Sequence, residues 1–376
     1  MNDNVVMRTW LIEPMPKDVR QALDRLCRAP DVARLSVMPD VHLAEKVCVG
    51  VVLATRSLIY PEAVGGDIGC GVAAVRLQGQ SEILESGNTR CLLAELLRRV
   101  PFHKRASNEA ALPEELADRP LSAKRLNVRK EREGRLQFGT LGRGNHFLEV
   151  QADEEDKLWL MVHSGSRVMG QSVRAHHLDP LPPRKVGLRP LDSRTDAGRA
   201  YLADAAWAMD YAMASRRRML DDSVRAFEDL FGVSEDEGSR FDSHHNFVRA
   251  ESHDGEVLFV HRKGALSADS GERAAIPGSM GTTSFHVEGR GCQAALRSSS
   301  HGAGRQLARG EARRRIDPGD LRRQMRSVCF DDRIADSLRD EAPGAYKDIR
   351  KVMRAQRDLT RIVRRLRPLV VCKAPN

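Results

Sequence analysis

Hydrophobic and polar residues alternate with a period of two along several stretches of the chain, a pattern typical of half-buried β-strands. Short apolar runs separated by glycines occupy residues 36–77, and alternation returns over residues 136–168. Further strands are expected around residues 246–260 and 282–287, with a closing apolar strand over residues 368–372. The sequence therefore predicts many short strands joined by tight turns.

Helical spacing of apolar residues is clearest over residues 197–231, where it predicts a long helix. Residues 82–100 and 112–133 predict helices or loops at the surface. From residue 303 onward the chain is expected to be largely helical and basic until its closing strand. Four prolines within residues 179–194 predict an extended connector.

The predicted strands and helices interleave without a regular strand–helix–strand rhythm, and no dinucleotide-binding or Walker motif is present. We therefore expect one α+β domain over residues 1–376, with mixed β-sheets in its core and helices outside. The apolar run at residues 47–54 is far too short for a membrane span, and the first residues lack a signal-peptide pattern. A cytoplasmic protein without a membrane partner is the expectation, and seven dispersed cysteines without C-x-x-C pairs favour it.

The chain carries a formal net charge of +9. A polyanionic partner would explain this surplus, because basic patches release counterions from phosphate backbones. The basic residues cluster at residues 124–130 and 305–326, although each cluster could equally be a solvated helix face. Aromatic residues are only 5%, which argues against a base-stacking platform for single strands.

Several polar residues stand in settings that favour metal binding. Asp67 and Cys70 are separated by Gly69, so one tight turn can direct both side chains at one ion. A carboxylate, a thiolate and imidazoles together suit a divalent transition metal, with Zn²⁺ and Mn²⁺ both open. His244 and His245 are adjacent, so in an extended segment at most one of them is expected to reach the metal.

Two glycine-rich segments favour phosphate binding. Residues 276–284 offer backbone N–H groups and hydroxyls with little bulk, as in an anion-binding loop, although a simple turn between strands is an alternative. His301 and Arg305 flank a tight turn and could supply a nucleophile or ligand and a phosphate-neutralising cation. Along residues 145–149, the period of two places Asn145 and Glu149 on one face and His146 on the other.

Nine ordered sequence blocks resemble the RtcB family of RNA ligases. They cover the chain from about residue 38 to the C-terminus, and their order makes the match far more specific than any single motif. The blocks are MPDVH (38–42), GGDIGCGV (65–72), GNHFLEV (144–150), HSGSR (163–167), HHNF (244–247), HRKGA (261–265), IPGSMGTTS (276–284), SHGAGR (300–305) and EAPGAYKDI (341–349).

The resemblance implies a ligase that uses GTP and two Mn²⁺ ions and joins RNA 3′-phosphate or 2′,3′-cyclic phosphate ends to 5′-hydroxyl ends. It implies that His301 is the catalytic nucleophile, that it carries GMP as a phosphoramidate, and that GMP then activates the RNA 3′-phosphate. Glu149 would pair with the N1–H and amino edge of guanine. The implied metal ligands are Asp67, Cys70 (bridging), His146, His163 and His245. The implied GTP contacts are Asn145, His146, Phe147, Leu148, Glu149, His245, Asn246, Pro277, Gly278, Ser279, Met280, Ser284, His301, Gly302, Ala303, Gly304 and Lys373.

Two segments depart from the family pattern. Residues 43–46 read Leu-Ala-Glu-Lys where the family usually has glycines around a lysine, so Asp40 and His42 are left out of the predicted site. The segment between Ala265 and Ile276 matches no family block. The expected role is repair of tRNA or ribosomal RNA, or tRNA splicing, with an activating protein partner left open. The main alternative is a metal-dependent phosphoesterase that processes RNA ends without a covalent nucleotide, followed by an RNA-binding protein with a degenerate site.

Overall fold

A computed structural model describes residues 5–84, 87–107, 109–182 and 187–375. The strands are β1 (Val6–Thr9), β2 (Val32–His42), β3 (Val49–Thr55), β4 (Leu58–Ile59), β5 (Gly71–Gln80), β6 (Phe147–Ala152), β7 (Lys157–Ser164), β8 (Leu191–Asp192), β9 (Phe241–His244), β10 (Asn246–His253), β11 (Glu256–Lys263), β12 (Ala265–Ser267), β13 (Arg273–Ile276), β14 (Ser284–Gly289), β15 (Ser298–Ser300), β16 (Cys329–Phe330) and β17 (Thr360–Cys372). The α-helices are α1 (Lys17–Cys27), α2 (Asn88–Arg99), α3 (Glu114–Ala117), α4 (Lys124–Arg129), α5 (Arg135–Gln137), α6 (Val168–Leu178), α7 (Asp196–Phe231), α8 (Arg309–Arg315), α9 (Pro318–Gln324) and α10 (Ile349–Ala355).

Two large sheets form the centre of the fold. The larger has the strand order β13-β14-β17-β6-β7-β5-β9, with β16 added parallel to β17. The smaller has the order β1-β2-β3-β11-β10, in which only β1 and β2 are parallel. Two-stranded pairs, β4–β8 and β12–β15, complete the described strands. The chain passes from the larger sheet to the smaller between β9 and β10, and the predicted site lies there.

The long helix α7 covers one face of the larger sheet. It packs against α2, α6, β5 and β7, and it buries Tyr211 and Phe227 completely. The Thr195 side chain caps its first turn by accepting from the Gly198 N–H, and Gly232 ends it in the left-handed conformation at φ 66°. These are common start and stop signals for a helix. The burial of Tyr211 and Phe227 on this helix supports the predicted α+β class, with helices outside mixed sheets.

The connector at residues 179–194 is largely irregular as expected, apart from β8; its residues 183–186 lie outside the described residues. The C-terminal prediction was wrong in part, because the last strand begins at Thr360 and not at residue 368. Arginines dominate residues 361–367, which suggested a basic helix. Their guanidinium groups instead pair with acids on β14 and beside β6, the two strands that flank β17. No helix within the described ranges is long and apolar enough to cross a membrane.

Candidate metal centre and nucleotide pocket

The predicted metal ligands come from separate parts of the chain and meet where the two large sheets adjoin. Cys70 immediately precedes β5, His146 immediately precedes β6, and His163 lies near the end of β7. His245 is the single residue between β9 and β10, and its backbone N–H donates to the Cys70 carbonyl at 2.9 Å. Adjacent strand ends therefore bring together side chains that are far apart in sequence.

Two overlapping groups of donor atoms share the sulfur of Cys70. One group is Cys70, His163 and His245, and the other is Asp67, Cys70 and His146. The Cys70 Sγ lies 3.3 Å from His163 Nε2 and 3.5 Å from His146 Nε2. His163 Nε2 is 3.3 Å from His245 Nε2, and His146 Nε2 is 2.9 Å from Asp67 Oδ2. All five predicted ligands thus form one cluster with a central thiol.

The hydrogen bonds behind the histidines indicate what the cluster can hold. His146 Nδ1 is 3.0 Å from the Leu141 carbonyl oxygen, and His163 Nδ1 is 3.0 Å from the Asn145 carbonyl oxygen. A carbonyl only accepts, so each Nδ1 carries the proton and each Nε2 of a neutral ring presents a lone pair. These lone pairs face a carboxylate, a sulfur or another imidazole. Such a buried set of acceptors repels itself unless a cation lies among them, so the residues fit a metal ion.

Burial favours the neutral forms of the Cys70 thiol and of two histidines in the cluster. It raises the pKa of the Cys70 thiol well above its ordinary value, with the nearby Asp67 carboxylate adding to the shift. It also lowers the pKa values of the His163 and His245 imidazoles well below theirs. Neutral imidazoles are the form that binds metals, whereas the thiol needs a bound cation to ionise in this environment.

His301 lies beside this cluster, directly after β15. The ring centroids of His301 and His245 are 4.7 Å apart. Its Nδ1 lies 2.7 Å from Oδ2 of Asp40, a fully buried carboxylate in β2, and its backbone N–H donates to the same oxygen at 3.3 Å. Because the carboxylate accepts, the proton is held on Nδ1 and the lone pair on Nε2 is left available.

A cavity of about 270 Å³ opens next to the His301 ring. Many of the predicted GTP contacts line it: Asn145, Phe147, Glu149, Pro277, Gly278, Ser279, Met280, His301, Gly302, Ala303, Gly304 and Lys373. Asn145, Phe147 and Glu149 face this cavity, whereas the His146 ring faces the metal cluster, as the alternation along β6 predicted. The cavity therefore combines a histidine, a buried carboxylate and a glycine-rich loop in one space.

Glu149 is a buried acid in the cavity lining. Its Oε2 accepts a hydrogen bond from the Gln151 amide at 2.6 Å. Burial raises the pKa of Glu149 to about 8, although Gln151 and the Lys373 ammonium oppose the shift. When ionised, this carboxylate can accept two parallel N–H groups from a planar ligand.

The other predicted GTP contacts lie behind the cavity wall. Asn246 donates to the Asp67 carbonyl and accepts from the Gly264 N–H, so it holds two turns of the site together. The Ser284 hydroxyl accepts from the Gly278 N–H at 3.2 Å and fixes the glycine-rich loop. Leu148 points into the opposite hydrophobic core, because neighbours on a strand face opposite ways. His146 and His245 belong to the metal cluster and not to the cavity lining.

Two other histidines singled out by their sequence settings have structural contacts. His244 turns away from the cluster, and its Nδ1 accepts from the buried Arg216 guanidinium at 3.0 Å, so one of the adjacent pair reaches the cluster, as predicted. His261 is fully buried, and its Nε2 accepts from the Tyr60 backbone N–H. A histidine beside small or polar residues in the sequence can therefore have a structural role as well as a functional one.

The structure adds residues that the predicted site omitted. One is Asp40, which contacts His301. The others line the cavity and are His42, Arg305, Arg309, Glu341 and Tyr346. Asp40 and His42 were set aside because the following segment, residues 43–46, departs from the family pattern. That segment follows β2, and its Lys46 forms an ion pair with Glu62. Asp40 lies within β2 and contacts His301. The intact family block at residues 38–42 was the sequence signal for including Asp40 and His42 in the predicted site.

The chain is similar to proteins of one family over nearly its whole length. The family described as "tRNA-splicing ligase RtcB" matches residues 22–127 and 118–374. The chain is 34% identical over 408 aligned positions to the RNA-splicing ligase RtcB of Escherichia coli strain K12, covering 99% of this chain and 98% of that protein. It is 29% identical to the RNA-splicing ligase RtcB of Mycobacterium tuberculosis, covering 90% and 97%. It is 28% identical to the tRNA-splicing ligase RtcB of Archaeoglobus fulgidus, covering 96% and 92%.

Proposed function

This chain belongs to the RtcB family of RNA ligases, and we propose that it joins RNA 3′-phosphate or 2′,3′-cyclic phosphate ends to 5′-hydroxyl ends with GTP and two Mn²⁺ ions. The observation that carries the proposal is the pairing of Asp40 with His301 at the edge of the cavity. In the neutral ring, this pairing places the lone pair on Nε2, which has no hydrogen-bond partner among the described residues. A nucleophilic histidine needs such a nitrogen.

The cavity supports a guanine nucleotide as the group that His301 attacks. An ionised Glu149 would accept the N1–H and exocyclic amino groups of guanine, whereas adenine offers an unprotonated N1 and would leave one carboxylate oxygen unpaired. The loop at residues 277–280 is held in place because the Gly278 and Ser279 N–H groups donate to the hydroxyls of Ser284 and Thr282. The Met280 N–H has no partner among the described residues and can donate to a phosphate oxygen. Base recognition and phosphate binding are thereby combined in one pocket.

The proposed reaction has three transfers. The Nε2 of His301 attacks the α-phosphorus of GTP, forming an N–P bond as the α–β bridging P–O bond breaks and pyrophosphate leaves. An oxygen of the RNA 3′-phosphate then attacks the same phosphorus, forming a P–O–P link and freeing His301. Finally the 5′-hydroxyl attacks the RNA 3′-phosphate, loses its proton and displaces GMP. Asp40 stabilises the charge that His301 acquires in the first step.

Asp67, Cys70, His146, His163 and His245 would hold the two Mn²⁺ ions beside His301. When bound, these ions would orient the phosphates and reduce the repulsion between anionic reactants. Carboxylate, imidazole and thiolate donors are compatible with Mn²⁺ but also with Zn²⁺, so the choice of Mn²⁺ rests on the family. Repair of cleaved tRNA or ribosomal RNA is the proposed role, with tRNA splicing as the other substrate class.

The proposal is tested by covalent labelling. Purified protein is incubated with α-³²P-GTP and Mn²⁺ and separated on a denaturing gel, alongside His301→Ala and the control His176→Ala, whose ring contacts Arg125 on the surface. We expect an acid-labile, alkali-stable label on the wild type and on the control, and none on His301→Ala. Resealing of a cleaved RNA should require the same histidine. RNA end processing by unlabelled enzyme without GTP would instead support the phosphoesterase alternative.

A further inference from the structure

A glycine turn at the mouth of the cavity is surrounded by arginines. Gly142 and Gly144 adopt positive φ angles of 98° and 76°, and Asn145 directly after them lines the cavity. A Cβ atom at Gly142 would lie 2.3 Å from Nη1 of Arg167, and one at Gly144 would lie 3.4 Å from Nη2 of Arg309. The absence of side chains at these positions lets two guanidinium groups approach the turn from different sides.

Arg143 lies between these two glycines and is exposed. Its Nη2 donates to Nε2 of His103 at 3.2 Å. The backbone of the neighbouring segment is fixed, because the Phe102 carbonyl accepts from the Gly142 N–H and from the Arg167 guanidinium. We call Arg143, Arg167 and Arg309 the arginine collar. His103 orients its central member.

The positive charge of the arginine collar is poorly balanced within the chain. Within the described ranges, Arg143 forms no ion pair with an acid. Arg167 interacts electrostatically with Asp67, whose carboxylate belongs to the ligand cluster. Arg309 pairs with Asp340 and Glu341. Those two carboxylates also pair with other cations, namely Arg305, Arg313 and Lys373. Like charges held together by a rigid turn repel one another, and a bound anion would remove that cost.

The arginine collar extends from the cavity that His301 lines, where Arg309 lies, to the end of the ligand cluster away from His301, where Arg167 lies. His301 contacts His245, while Arg167 is next to Asp67 and His146 at the other end of the chain of contacts. Displacement at phosphorus proceeds in line, with the entering and leaving groups on opposite sides. Pyrophosphate therefore leaves away from His301, and the RNA 3′-phosphate later enters from that same side.

We propose that the arginine collar, centred on Arg143, binds a phosphate group between the cavity edge at Arg309 and the end of the ligand cluster at Arg167. The phosphate is either that of the RNA strand beside its 3′ end or the β,γ-part of GTP. This assignment rests on the proposed function and adds a substrate subsite to it. Arg143 is exposed and makes no contact with the cluster, so its role is to bind and position substrate.

The experiment separates the two sources with Arg143→Ala. In the first arm, the rate of covalent GMP formation is measured against GTP concentration. In the second, enzyme already carrying GMP is mixed with excess RNA ends, and single-turnover ligation is measured against RNA concentration. Losing one charge-assisted contact should raise the half-saturating concentration about tenfold. The arm in which this occurs identifies the source of the phosphate.

Two further variants complete the test. Arg143→Lys keeps the charge but loses the planar fork, so it should recover only part of the affinity. Arg290→Ala is the matched control, because Arg290 is exposed and its side chain has no partner among the described residues. It lies near the start of β17, whereas the other end of this strand leads to Lys373 in the cavity. The slope of log affinity against log salt should fall by about 1 for Arg143→Ala alone.

Values for Arg143→Ala within twofold of wild type in both arms would overturn the proposed subsite, as would equal losses in Arg290→Ala. Neither result affects the covalent labelling of His301. Conversely, a wild-type protein that forms no GMP adduct would contradict the proposed function before the arginine collar is tested. Direct binding of an RNA 3′-phosphate oligonucleotide and of GTP to Arg143→Ala would still report on the collar in that case, and wild-type affinity for both would overturn it.

Discussion

Asp40 Oδ2 and His301 Nδ1 lie 2.7 Å apart, although 261 residues separate them in the chain. The carboxylate has little freedom to move. Gly50 and Gly304 pack so closely that a Cβ at either would lie within 2.8 Å of Asp40 atoms. The Lys347 ammonium also donates to the carbonyls of Pro39 and Val41 on both sides. The tautomer and orientation of His301 are therefore fixed by the packing around β2.

Asp40→Asn is expected to slow covalent GMP formation by on the order of 10²- to 10⁴-fold, as when the carboxylate behind a catalytic histidine becomes an amide. The amide no longer enforces the proton on Nδ1 or stabilises the charged ring. Labelling rates at saturating GTP measure the effect. Bound metal should be unchanged, because Asp40 does not contact the cluster; labelling at the wild-type rate would contradict the assigned role.

Cys70→Ala should lose bound metal, because both groups of donor atoms contain its sulfur. Metal content measured by elemental analysis should fall for both ions, and labelling with GTP should fall with it. His301→Ala serves as the comparison, since it should keep its metal while losing the label. A Cys70→Ala protein that retains both ions and full ligation would show that the thiol does not bridge them.

The cluster of candidate metal ligands was predictable from sequence because its members keep diagnostic neighbours. Asp67 and Cys70 share one tight turn, and the family blocks supply His146, His163 and His245 in order. Strand alternation also placed Asn145 and Glu149 on the cavity side. These features are predictable because each depends on only a few residues that are close together in the sequence.

Two features that the sequence did not predict depend on packing between distant parts of the chain. The contact between Asp40 and His301 exists only once β2 and β15 are assembled, and no local pattern encodes it. Thr360–Arg367 resembles a basic helix until β14 and β6 surround it and pair its arginines. Tertiary context overrides local propensity in such cases.

Glu149→Gln should shift nucleotide preference from GTP towards ATP. A glutamine presents one acceptor and one donor, which suits the adenine edge and leaves a guanine N–H unpaired. The kcat/KM for GTP in the labelling reaction should fall by on the order of 10²-fold, while ATP should gain. The exposed Glu82→Gln is the control and should leave the preference unchanged. Equal losses for both nucleotides would argue against a direct contact with the base.

Glu149 should also make the stability of the nucleotide-free protein depend on pH. Its pKa is about 8 in the folded state against an ordinary value of 4.5, and burial is the main cause. Between these pH values the folded protein keeps a proton that the unfolded chain releases. The contribution of Glu149 to stability is therefore fully present below about pH 4.5 and is lost as pH rises through about 8.

Urea unfolding of wild type and Glu149→Gln, at pH 6 and at pH 9, measures this effect. From pH 6 to pH 9, the free energy of unfolding of the wild type should fall relative to that of Glu149→Gln by on the order of a few kcal/mol. Glu82→Gln should show no such pH-dependent difference from wild type. Since guanine needs the ionised carboxylate, the KM for GTP should rise as pH falls below about 8. A Glu149→Gln difference that is the same at both pH values would mean that this carboxyl group is already ionised in the folded protein at pH 6.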